Sequence, residues 1–317
     1  MTDAFGRVID YLRLSVTERC NLNCLYCGPG ACCESGPAAC CAAGELVSMA
    51  AACVELGVKK IRITGGEPLL RPNLLEILAA LRALPGLKEL TMTTNGQGLP
   101  ELAASLRAAG LDRLNVSLDS LRPERYQALT RGGSLERVLA GLAAAEAAGF
   151  RALRLNVVLL RGYNDDELAE LAGLARAHPW SVRFIELMPI GAGAALDAYL
   201  PAEKVLEAVP ELRPLERSTA KDASVARLYS APGWAGTVGL IAPVSRPFCA
   251  GCNRIRITAD GRLKPCLHAP EEFSLRGLEG EALQAAILAA VAQKPARHRL
   301  AEVGRSESAR PMQRIGG

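Results

Sequence analysis

The stretch KIRITGGEPLLRPNLLEILAALRALPGLKELTMTT, residues 60–94, contains a complete strand–helix–strand pattern. Its two ends, Lys60–Thr64 and Glu89–Thr94, are rich in the residue types that favour strands. Between them, leucines recur at helical spacing from about Pro72 to Gly86. Because neighbouring strands that are joined through one helix run parallel, this stretch predicts an α/β fold.

The same alternation extends along the first 190 residues. Six strands are predicted, at Tyr11–Val16, Lys60–Thr64, Glu89–Thr94, Arg113–Ser117, Arg154–Leu159 and Val182–Glu186. One of the helices between them is predicted to begin at Asn164, where Glu167 three residues later resembles a capping box. Functional-looking residues at the strand ends favour an incomplete (β/α)6 barrel of the TIM type. A doubly wound sheet is the alternative, and the pattern alone separates the two poorly.

The pattern changes near residue 190. Downstream of it Gly and Pro increase, the predicted strands are of the antiparallel type, and cysteines reappear between Cys249 and Cys266. We therefore predict a partial barrel over residues 1–190. Residues 191–317 are predicted to form a smaller C-terminal region that carries these later cysteines.

Composition narrows the possible functions. The 37 Lys and Arg residues nearly balance the 33 Asp and Glu residues, which predicts no binding to DNA or RNA. No apolar run reaches the roughly 18 residues of a membrane span, and residues 1–10 lack a secretory signal, so we expect a cytoplasmic protein without a membrane partner. In that reducing compartment the eleven cysteines are better candidates for metal or redox sites than for disulfides.

The first group of cysteines has the spacing C-x3-C-x2-C and consists of Cys20, Cys24 and Cys27. Three thiolates at this spacing can hold three irons of a [4Fe–4S] cluster and leave the fourth iron open to a small molecule. A structural zinc site needs four ligands, and no histidine lies within 100 residues of this group. Tyr26, between the last two cysteines, suits stacking near a bound adenine.

Two further motifs end predicted strands. Gly65, Gly66 and Glu67 follow the second strand, and two adjacent glycines let a ligand approach the backbone closely. Ser117 ends the fourth strand, where it could contact the same ligand. Taken alone, both motifs are also explained as an ordinary tight turn and an ordinary polar strand end.

A second group of cysteines has the spacing C-x2-C-x13-C and consists of Cys249, Cys252 and Cys266. His268 could complete a zinc site here, so zinc is an alternative to a second cluster. Arg254 and Arg256 alternate with isoleucines on a predicted strand, which places both guanidinium groups on one face. Beside a cysteine site this pair indicates anion binding, and a solvated face is the alternative interpretation.

The first cysteine group with its aromatic residue resembles the radical S-adenosylmethionine (SAM) superfamily. A narrower resemblance, to the GTP 3′,8-cyclase (MoaA) family, covers nearly the whole chain. It is carried by the segments RLSVT (13–17), KKIRITGGEP (59–68), TTNG (93–96), FIELMP (184–189), FCAGCNRIR (248–256) and the terminal RIGG (314–317).

The resemblance implies an incomplete barrel whose mouth is closed by the C-terminal region. It implies two [4Fe–4S] clusters and SAM as cofactors, with reductive cleavage of SAM giving a 5′-deoxyadenosyl radical. This radical would take hydrogen from C3′ of GTP, the resulting carbon radical would attack C8 of guanine, and reduction with protonation would then give 3′,8-cyclo-7,8-dihydro-GTP. The implied partners are GTP, an electron donor and cyclic pyranopterin monophosphate synthase, the next enzyme of molybdenum cofactor synthesis, and a homodimer is possible.

The resemblance also implies roles for individual residues. Catalytic roles fall to the first cysteine group and the C-terminal tail, which means Cys20, Cys24, Cys27, Gly316 and Gly317. The SAM pocket would contain Tyr26, Gly65, Gly66, Glu67, Ser117 and Met188. GTP would meet Arg13, Arg62, Thr93, Arg154, Arg254 and Arg256. The second cluster, on Cys249, Cys252 and Cys266, would bind the guanine base.

The segment after Cys27 departs from the family pattern. Gly28 stands where a methionine is usual, and the following loop contains the cysteines Cys32, Cys33, Cys40 and Cys41. Incidental thiols and a third cluster are the two interpretations of this loop. Two other functions remain open at this point: a peptide-modifying radical SAM enzyme, and a non-enzymatic iron–sulfur sensor or electron carrier.

Overall fold

The computed structural model describes residues 1–28, 40–216 and 225–316. In these residues twelve strands form one sheet. The strands are β1 (Tyr11–Ser15), β2 (Lys60–Thr64), β3 (Glu89–Thr94), β4 (Arg113–Ser117), β5 (Arg154–Leu159), β6 (Ser181–Glu186), β7 (Arg213–Pro214), β8 (Arg227–Ser230), β9 (Thr237–Ile241), β10 (Arg254–Ile257), β11 (Arg262–Lys264) and β12 (Phe273–Ser274).

Helices follow or connect these strands. They are α1 (Ala43–Glu55), α2 (Leu74–Arg82), α3 (Leu99–Ala108), α4 (Pro123–Thr130), α5 (Leu135–Ala147), α6 (Leu168–Ala177), α7 (Lys204–Ala208), α8 (Gly280–Ala292), α9 (Leu300–Val303) and α10 (Met312–Ile315). None of the helices in the described parts of the chain has both the length and the apolar character needed to span a bilayer.

The strand order is β12-β11-β10-β1-β2-β3-β4-β5-β6-β9-β8-β7. Strands β1 to β6 lie side by side in chain order, and each pairs in parallel with the next. Each of the six predicted strands ends within one residue of its predicted bounds. Since β12 and β7 are the two outer edges and do not pair with each other, the sheet is an incomplete barrel, as predicted.

The strands after residue 190 extend both edges of this same sheet. Strand β10 pairs in parallel with β1, and β9 pairs in parallel with β6. The remaining pairings of this region, β7–β8, β8–β9, β10–β11 and β11–β12, are antiparallel. The antiparallel prediction is therefore right for four pairings and wrong for two. A division at residue 190 stays a prediction, because strands from both parts of the chain share one sheet.

Alternation along the strands sorts side chains into a core and a barrel interior. Leu12 and Leu14 of β1 are fully buried in the core, as are Ile61 and Ile63 of β2. Between them, Arg13 lies on the other face of the sheet, which is the interior of the barrel. Polar residues that alternate with apolar ones along a buried strand, such as Arg13, thus line the barrel interior.

The predicted capping box at Asn164 is wrong. Helix α6 begins at Leu168, and the Asn164 side chain instead donates to the carbonyls of Asp119 and Val158, at 2.8 and 2.9 Å. Glu167 is fully buried and accepts a hydrogen bond from the Leu121 amide at 2.7 Å. Both side chains connect the chain between β5 and α6 to the loop after β4. They do so because the buried backbone groups of that loop and of β5 need hydrogen-bond partners.

Glu186 at the end of β6 holds the chain that leads to the second cysteine group. It is 1% exposed and accepts hydrogen bonds from the amides of Ala202, Val244 and Ser245, at 3.2, 3.0 and 2.9 Å. One carboxylate thereby fixes two loops to the strand end.

The substitution Glu186→Ala leaves the buried Ala202 amide and the partly buried Val244 and Ser245 amides without their acceptor, at about 1–3 kcal/mol for a fully buried group. We expect the free energy of unfolding to fall by about 2 kcal/mol or more in a urea titration. The matched control is Glu211→Ala, because Glu211 only pairs with Arg176 at the surface and should cost less than about 1 kcal/mol. Equal losses for the two variants would contradict this role of Glu186.

Candidate active site

A cavity of about 490 Å³ fills the barrel interior. At the carboxyl ends of the strands its wall includes Cys20, Cys24 and Cys27, and at the amino ends it includes Tyr11 and Lys60. The cavity therefore runs the length of the strands. Predicted site residues that line it are Arg13, Tyr26, Arg62, Gly65, Gly66, Glu67, Thr93, Ser117, Arg154, Met188, Arg254 and Arg256.

The first cysteine group occupies the loop after β1. A tight turn brings its last two members together, because the Cys27 amide donates to the Cys24 carbonyl at 3.0 Å. Burial raises the pKa of the Cys27 thiol to about 12 and that of the Cys24 thiol well above its usual value. Thiolates are the ligand form of cysteine, so these sulfurs need a bound metal to supply positive charge. The donor set of three thiols facing one cavity fits the predicted cluster.

The segment with Gly65 and Gly66 is hydrogen-bonded to the chain that leads into this loop. The Gly66 amide donates to the Thr17 carbonyl at 2.8 Å, and the Glu67 amide donates to the Arg19 carbonyl at 2.7 Å. A Cβ atom at Gly66 would lie only 2.3 Å from the Arg19 carbonyl oxygen. Besides lining the cavity, Gly66 therefore allows the close backbone packing that places Cys20.

The Glu67 carboxylate is already used within the protein. It is 1% exposed and accepts hydrogen bonds from the amides of Leu69 and Asn95 and from the Thr94 hydroxyl, at 3.0, 2.6 and 2.7 Å. Burial raises its pKa to about 7 despite these contacts. Its side chain links the end of β2 to the end of β3.

Tyr26 is fixed by a buried carboxylate. Its hydroxyl donates to Asp119 at 2.6 Å, and the other Asp119 oxygen accepts from the Val158 amide at 2.8 Å. Asp119 is 2% exposed, and burial raises its pKa to about 6. The ring beside the cysteines is thereby held in one orientation.

Arginines form a row across the other half of the cavity. Strand register places Arg13 directly beside Arg256 of β10 on one side and Arg62 of β2 on the other. Arg154 of β5 and Arg183 of β6 also line the cavity. None of the ion pairs between described residues involves Arg62, Arg154, Arg183, Arg254 or Arg256.

This arrangement is electrostatically costly. Burial, followed by repulsion from neighbouring arginines, lowers the pKa of Arg154 and of Arg256 to about 10 and that of Arg183 well below its usual value. Arg154 and Arg256 remain charged at neutral pH. A group of buried cations without carboxylate partners is stabilised by a bound polyanion.

Several buried polar atoms of the cavity wall also have no hydrogen-bond partner in the described chain. They are the hydroxyls of Tyr11, Thr64 and Thr93 and the side-chain amide of Asn115. Buried polar groups are normally paired, so unpaired ones that face a cavity indicate a ligand with its own polar groups.

The C-terminal tail reaches the arginine row. The Gly316 carbonyl accepts from Arg256 at 2.6 Å and from Arg13 at 3.1 Å. A Cβ atom at Gly316, whose φ is +72°, would lie 2.3 Å from the Thr64 hydroxyl, so only glycine fits here. Ion pairs of Arg310 with Asp260 and Glu272, at 2.7 and 2.8 Å, anchor the preceding chain. Gly317 lies outside the described residues.

The second cysteine group lies at the opposite end of the strands. Cys252 precedes β10, which starts level with the beginning of β1, and antiparallel β11 brings the chain back so that Cys266 lies at the same end. Cys249 occupies a 3₁₀ turn next to Cys252. Their neighbours Phe248, Asn253, Arg254 and Leu267 line the cavity, whereas the three cysteines are absent from its described wall.

Charge at this end favours a thiolate. Burial raises the pKa of Cys252, but the Lys294 ammonium and the Arg254 guanidinium lower it by more, to about 7. The Nδ1 of His268, the residue that could complete a zinc site, lies 3.4 Å from the Ser306 hydroxyl. Among the described residues no group of three His, Cys, Asp or Glu side chains is close enough to hold a single metal ion. A [4Fe–4S] cluster spreads its three thiolates over separate irons and does not need that close approach.

Sequence reasoning missed Arg183, Asp119, Tyr11 and Lys294. The signal for Arg183 was available, because a single arginine interrupts the apolar strand β6. Nothing in the local pattern pointed to Lys294. In the cysteine-rich loop, Cys32 and Cys33 lie outside the described residues, and Cys41 is a buried thiol 1% exposed.

Comparisons with known proteins identify the family of the chain. The family model for the radical SAM superfamily matches residues 14–175, and the model named Molybdenum Cofactor Synthesis C matches residues 180–300. The chain is 44% identical to the GTP 3′,8-cyclase of Peptoclostridium acidaminophilum over 95% of this chain and 94% of that one. It is also 44% identical to the GTP 3′,8-cyclase of Geobacter sulfurreducens, over 100% and 99% of the two chains.

Solved structures share the fold. Streptococcus suis SuiB covers 91% of this chain and 67% of its own length, with a TM-score of 0.64 and 15% identity. The same protein bound to S-adenosylmethionine gives a TM-score of 0.59 and 14% identity over 97% of this chain and 75% of that one.

The fold and its matched models define a radical SAM enzyme, which implies a [4Fe–4S] cluster and SAM as cofactors. Within that superfamily, the chain belongs to the GTP 3′,8-cyclase family. This membership confirms the resemblance seen in the sequence. It favours that family over a peptide-modifying enzyme or an electron carrier.

The substitution Gly66→Ala tests the packing beneath the first cysteine group. The added methyl group must displace the carbonyl of Arg19, so we expect a stability loss of about 1–3 kcal/mol and less iron bound after reconstitution. Gly173→Ala is the control, since a Cβ there meets nothing within 4 Å and the helix should gain about 0.5–1 kcal/mol. Full iron retention in Gly66→Ala would show that this contact is not required.

The buried carboxylate of Asp119 makes stability depend on pH. Its folded pKa of about 6 exceeds the unfolded value of 3.8, so its stabilising contribution is complete below about pH 3.8 and is lost as the pH rises through about 6. From pH 5 to 7.5 the apo protein should lose about 1 kcal/mol more than Asp119→Asn, measured by urea unfolding with reduced thiols. Parallel pH profiles for the two proteins would refute this assignment.

Proposed function

We propose that this chain converts GTP to (8S)-3′,8-cyclo-7,8-dihydroguanosine 5′-triphosphate in molybdenum cofactor biosynthesis. The observation that carries the proposal is one cavity with Cys20, Cys24 and Cys27 at one end, neighbours of the second cysteine group at the other, and a row of arginines between them. The relatives named GTP 3′,8-cyclase support it, since they match the chain from end to end.

The first cysteine group would hold a [4Fe–4S] cluster which, with SAM bound and an electron supplied, provides a 5′-deoxyadenosyl radical. Cys20, Cys24 and Cys27 would be its ligands. The SAM pocket would consist of Tyr26, Gly65, Gly66, Glu67, Ser117 and Met188, with Glu67 acting through the loop that it fixes.

The arginines would bind the triphosphate. Guanidinium groups form paired hydrogen bonds with phosphate oxygens, and Arg13, Arg62 and Arg256 lie side by side on neighbouring strands. Arg154, Arg183 and Arg254 would contribute further charge, and Thr93 has an unpaired hydroxyl on the same wall. Binding a polyanion here relieves the mutual repulsion of these cations.

The second cysteine group would hold a second [4Fe–4S] cluster that binds the guanine base. Its position supports this assignment: the second group lies at the amino ends of the strands and Cys20 lies at the carboxyl ends, so a nucleotide fits between the two groups. A nucleotide held at its base and its phosphates has its ribose fixed between them, facing the radical source. Such positioning restricts hydrogen abstraction to one carbon of the sugar.

The C-terminal tail would complete the site. Gly316 already contacts two arginines of the row, so the tail and the triphosphate share the same cations. We propose that Gly316 and Gly317 enter the site during turnover. We also propose an external electron donor, a cytoplasmic location, and cyclic pyranopterin monophosphate synthase as the enzyme that uses the product.

The direct test is anaerobic reconstitution with iron, sulfide, SAM, GTP and a reductant. We expect 5′-deoxyadenosine and the cyclised nucleotide in equal amounts, measured by mass spectrometry. Formation of 5′-deoxyadenosine without any change in GTP would refute the cyclase while retaining a radical SAM enzyme.

Arg183→Gln tests the arginine row at a position that the tail does not touch. Loss of one charge-assisted hydrogen bond of about 1.5–3 kcal/mol should raise the KM for GTP by about tenfold or more. Uncoupled SAM cleavage and thermal stability should be retained, since the variant removes repulsion from buried neighbours. Arg176→Gln, on the exposed face of α6, is the control and should leave KM unchanged. Equal loss of SAM cleavage and GTP use would contradict a substrate-binding role.

A further inference from the structure

Lys294 is a buried cation beside the second cysteine group. It follows α8 and is 3% exposed. Its ammonium donates to the carbonyl of Arg254 at 2.8 Å and to the carbonyl of Pro265 at 2.6 Å. One of these carbonyls lies two residues after Cys252 and the other lies immediately before Cys266. A single side chain thus connects the two segments that carry these cysteines.

The charge of Lys294 has no carboxylate partner among the described residues. Lys264, on the same hairpin, is fully buried but has Glu272 at 3.2 Å. Burying an ammonium costs several kcal/mol, and two carbonyl dipoles do not neutralise it. The two carbonyls that Lys294 binds adjoin Cys252 and Cys266, so thiolates at these cysteines would balance its charge.

The segment after Lys294 is clamped in place. Arg7, 8% exposed, donates to the carbonyls of Pro295 and Ala296 at 2.7 and 3.0 Å and to the carbonyl of Cys249 at 2.8 Å. This arginine also pairs with Asp3 at 2.6 Å. The N-terminal arm therefore fixes Lys294 relative to the turn that carries Cys249.

The first cysteine group has the opposite charge environment. Burial raises the pKa of the Cys20 and Cys24 thiols, and the nearby carboxylates of Glu67 and Asp119 raise it further. A cation near a cluster stabilises its reduced form, which carries one more negative charge, whereas a carboxylate destabilises it. The two ends of the cavity thus favour different redox states of the same kind of cluster.

We propose that Lys294 is a positioning residue for the second cluster: it holds Cys252 and Cys266 in register and, through its charge, raises the reduction potential of that cluster. The inference rests on the proposed function, because it requires a cluster on the second cysteine group.

The experiment uses the full-length chain with Cys20, Cys24 and Cys27 replaced by alanine, so that only the second site can hold iron. The protein is reconstituted anaerobically, and iron and sulfide are counted. The one-electron midpoint potential is then measured by titration with dithionite, followed by electron paramagnetic resonance. Lys294→Met, Lys294→Gln and Lys294→Arg are compared with the parent.

Both neutral variants should shift the midpoint to lower potential, by about 59 mV for a tenfold change in the reduction equilibrium. Lys294→Gln keeps an N–H donor for one carbonyl, so it remains informative where Lys294→Met does not retain a cluster. Lys294→Arg should keep the parent potential. Lys204→Met is the control, because Lys204 lies on the surface and pairs only with Glu207.

An intact cluster with the parent potential in Lys294→Gln would overturn the inference and leave the second cluster standing. A parent protein that binds no iron at the second site would overturn the proposed cluster and, with it, the role of Lys294. A purely structural role predicts weaker iron retention in Lys294→Gln with no change in potential, which also overturns the proposal.

Discussion

Repulsion among buried guanidinium groups is the constraint that the site depends on. Parallel strands present every second residue to the barrel interior, and strand register puts Arg256, Arg13 and Arg62 next to each other there. Leucines and isoleucines packed in the core on the opposite face hold these strands together against that repulsion. This repulsion lowers the stability of the empty barrel. An anionic ligand bound among the arginines offsets it, so the interior is organised around such a ligand.

The two ends of the cavity differ in electrostatics as well as in position. At the carboxyl ends of the strands, buried carboxylates at Asp119 and Glu67 orient side chains and backbone around Cys20. At the amino ends, Lys294 and Arg7 are bonded to backbone carbonyls that adjoin the second cysteine group. The proposed nucleotide site lies between these ends, with the phosphates at the arginines.

The region after residue 190 completes the barrel interior. Strand β10 contributes Arg254 and Arg256 to the same wall as Arg13, and Glu186 holds the loop that precedes the second cysteine group. The tail returns to the arginine row, where Gly316 packs against Thr64. The residues proposed to bind substrate therefore come from both parts of the chain, and each part is matched by a different family model.

Sequence by itself determined the six parallel strands, both cysteine groups and most of the arginines. Strand periodicity, cysteine spacing and charged residues inside apolar strands are local patterns, and such patterns can be read from the sequence alone. Only the tertiary structure decided that β10 pairs in parallel with β1, that Asn164 ties two loops instead of capping a helix, and that Lys294 reaches the carbonyls of Arg254 and Pro265. Each of these depends on contacts between residues far apart in the chain, which no short-range pattern records.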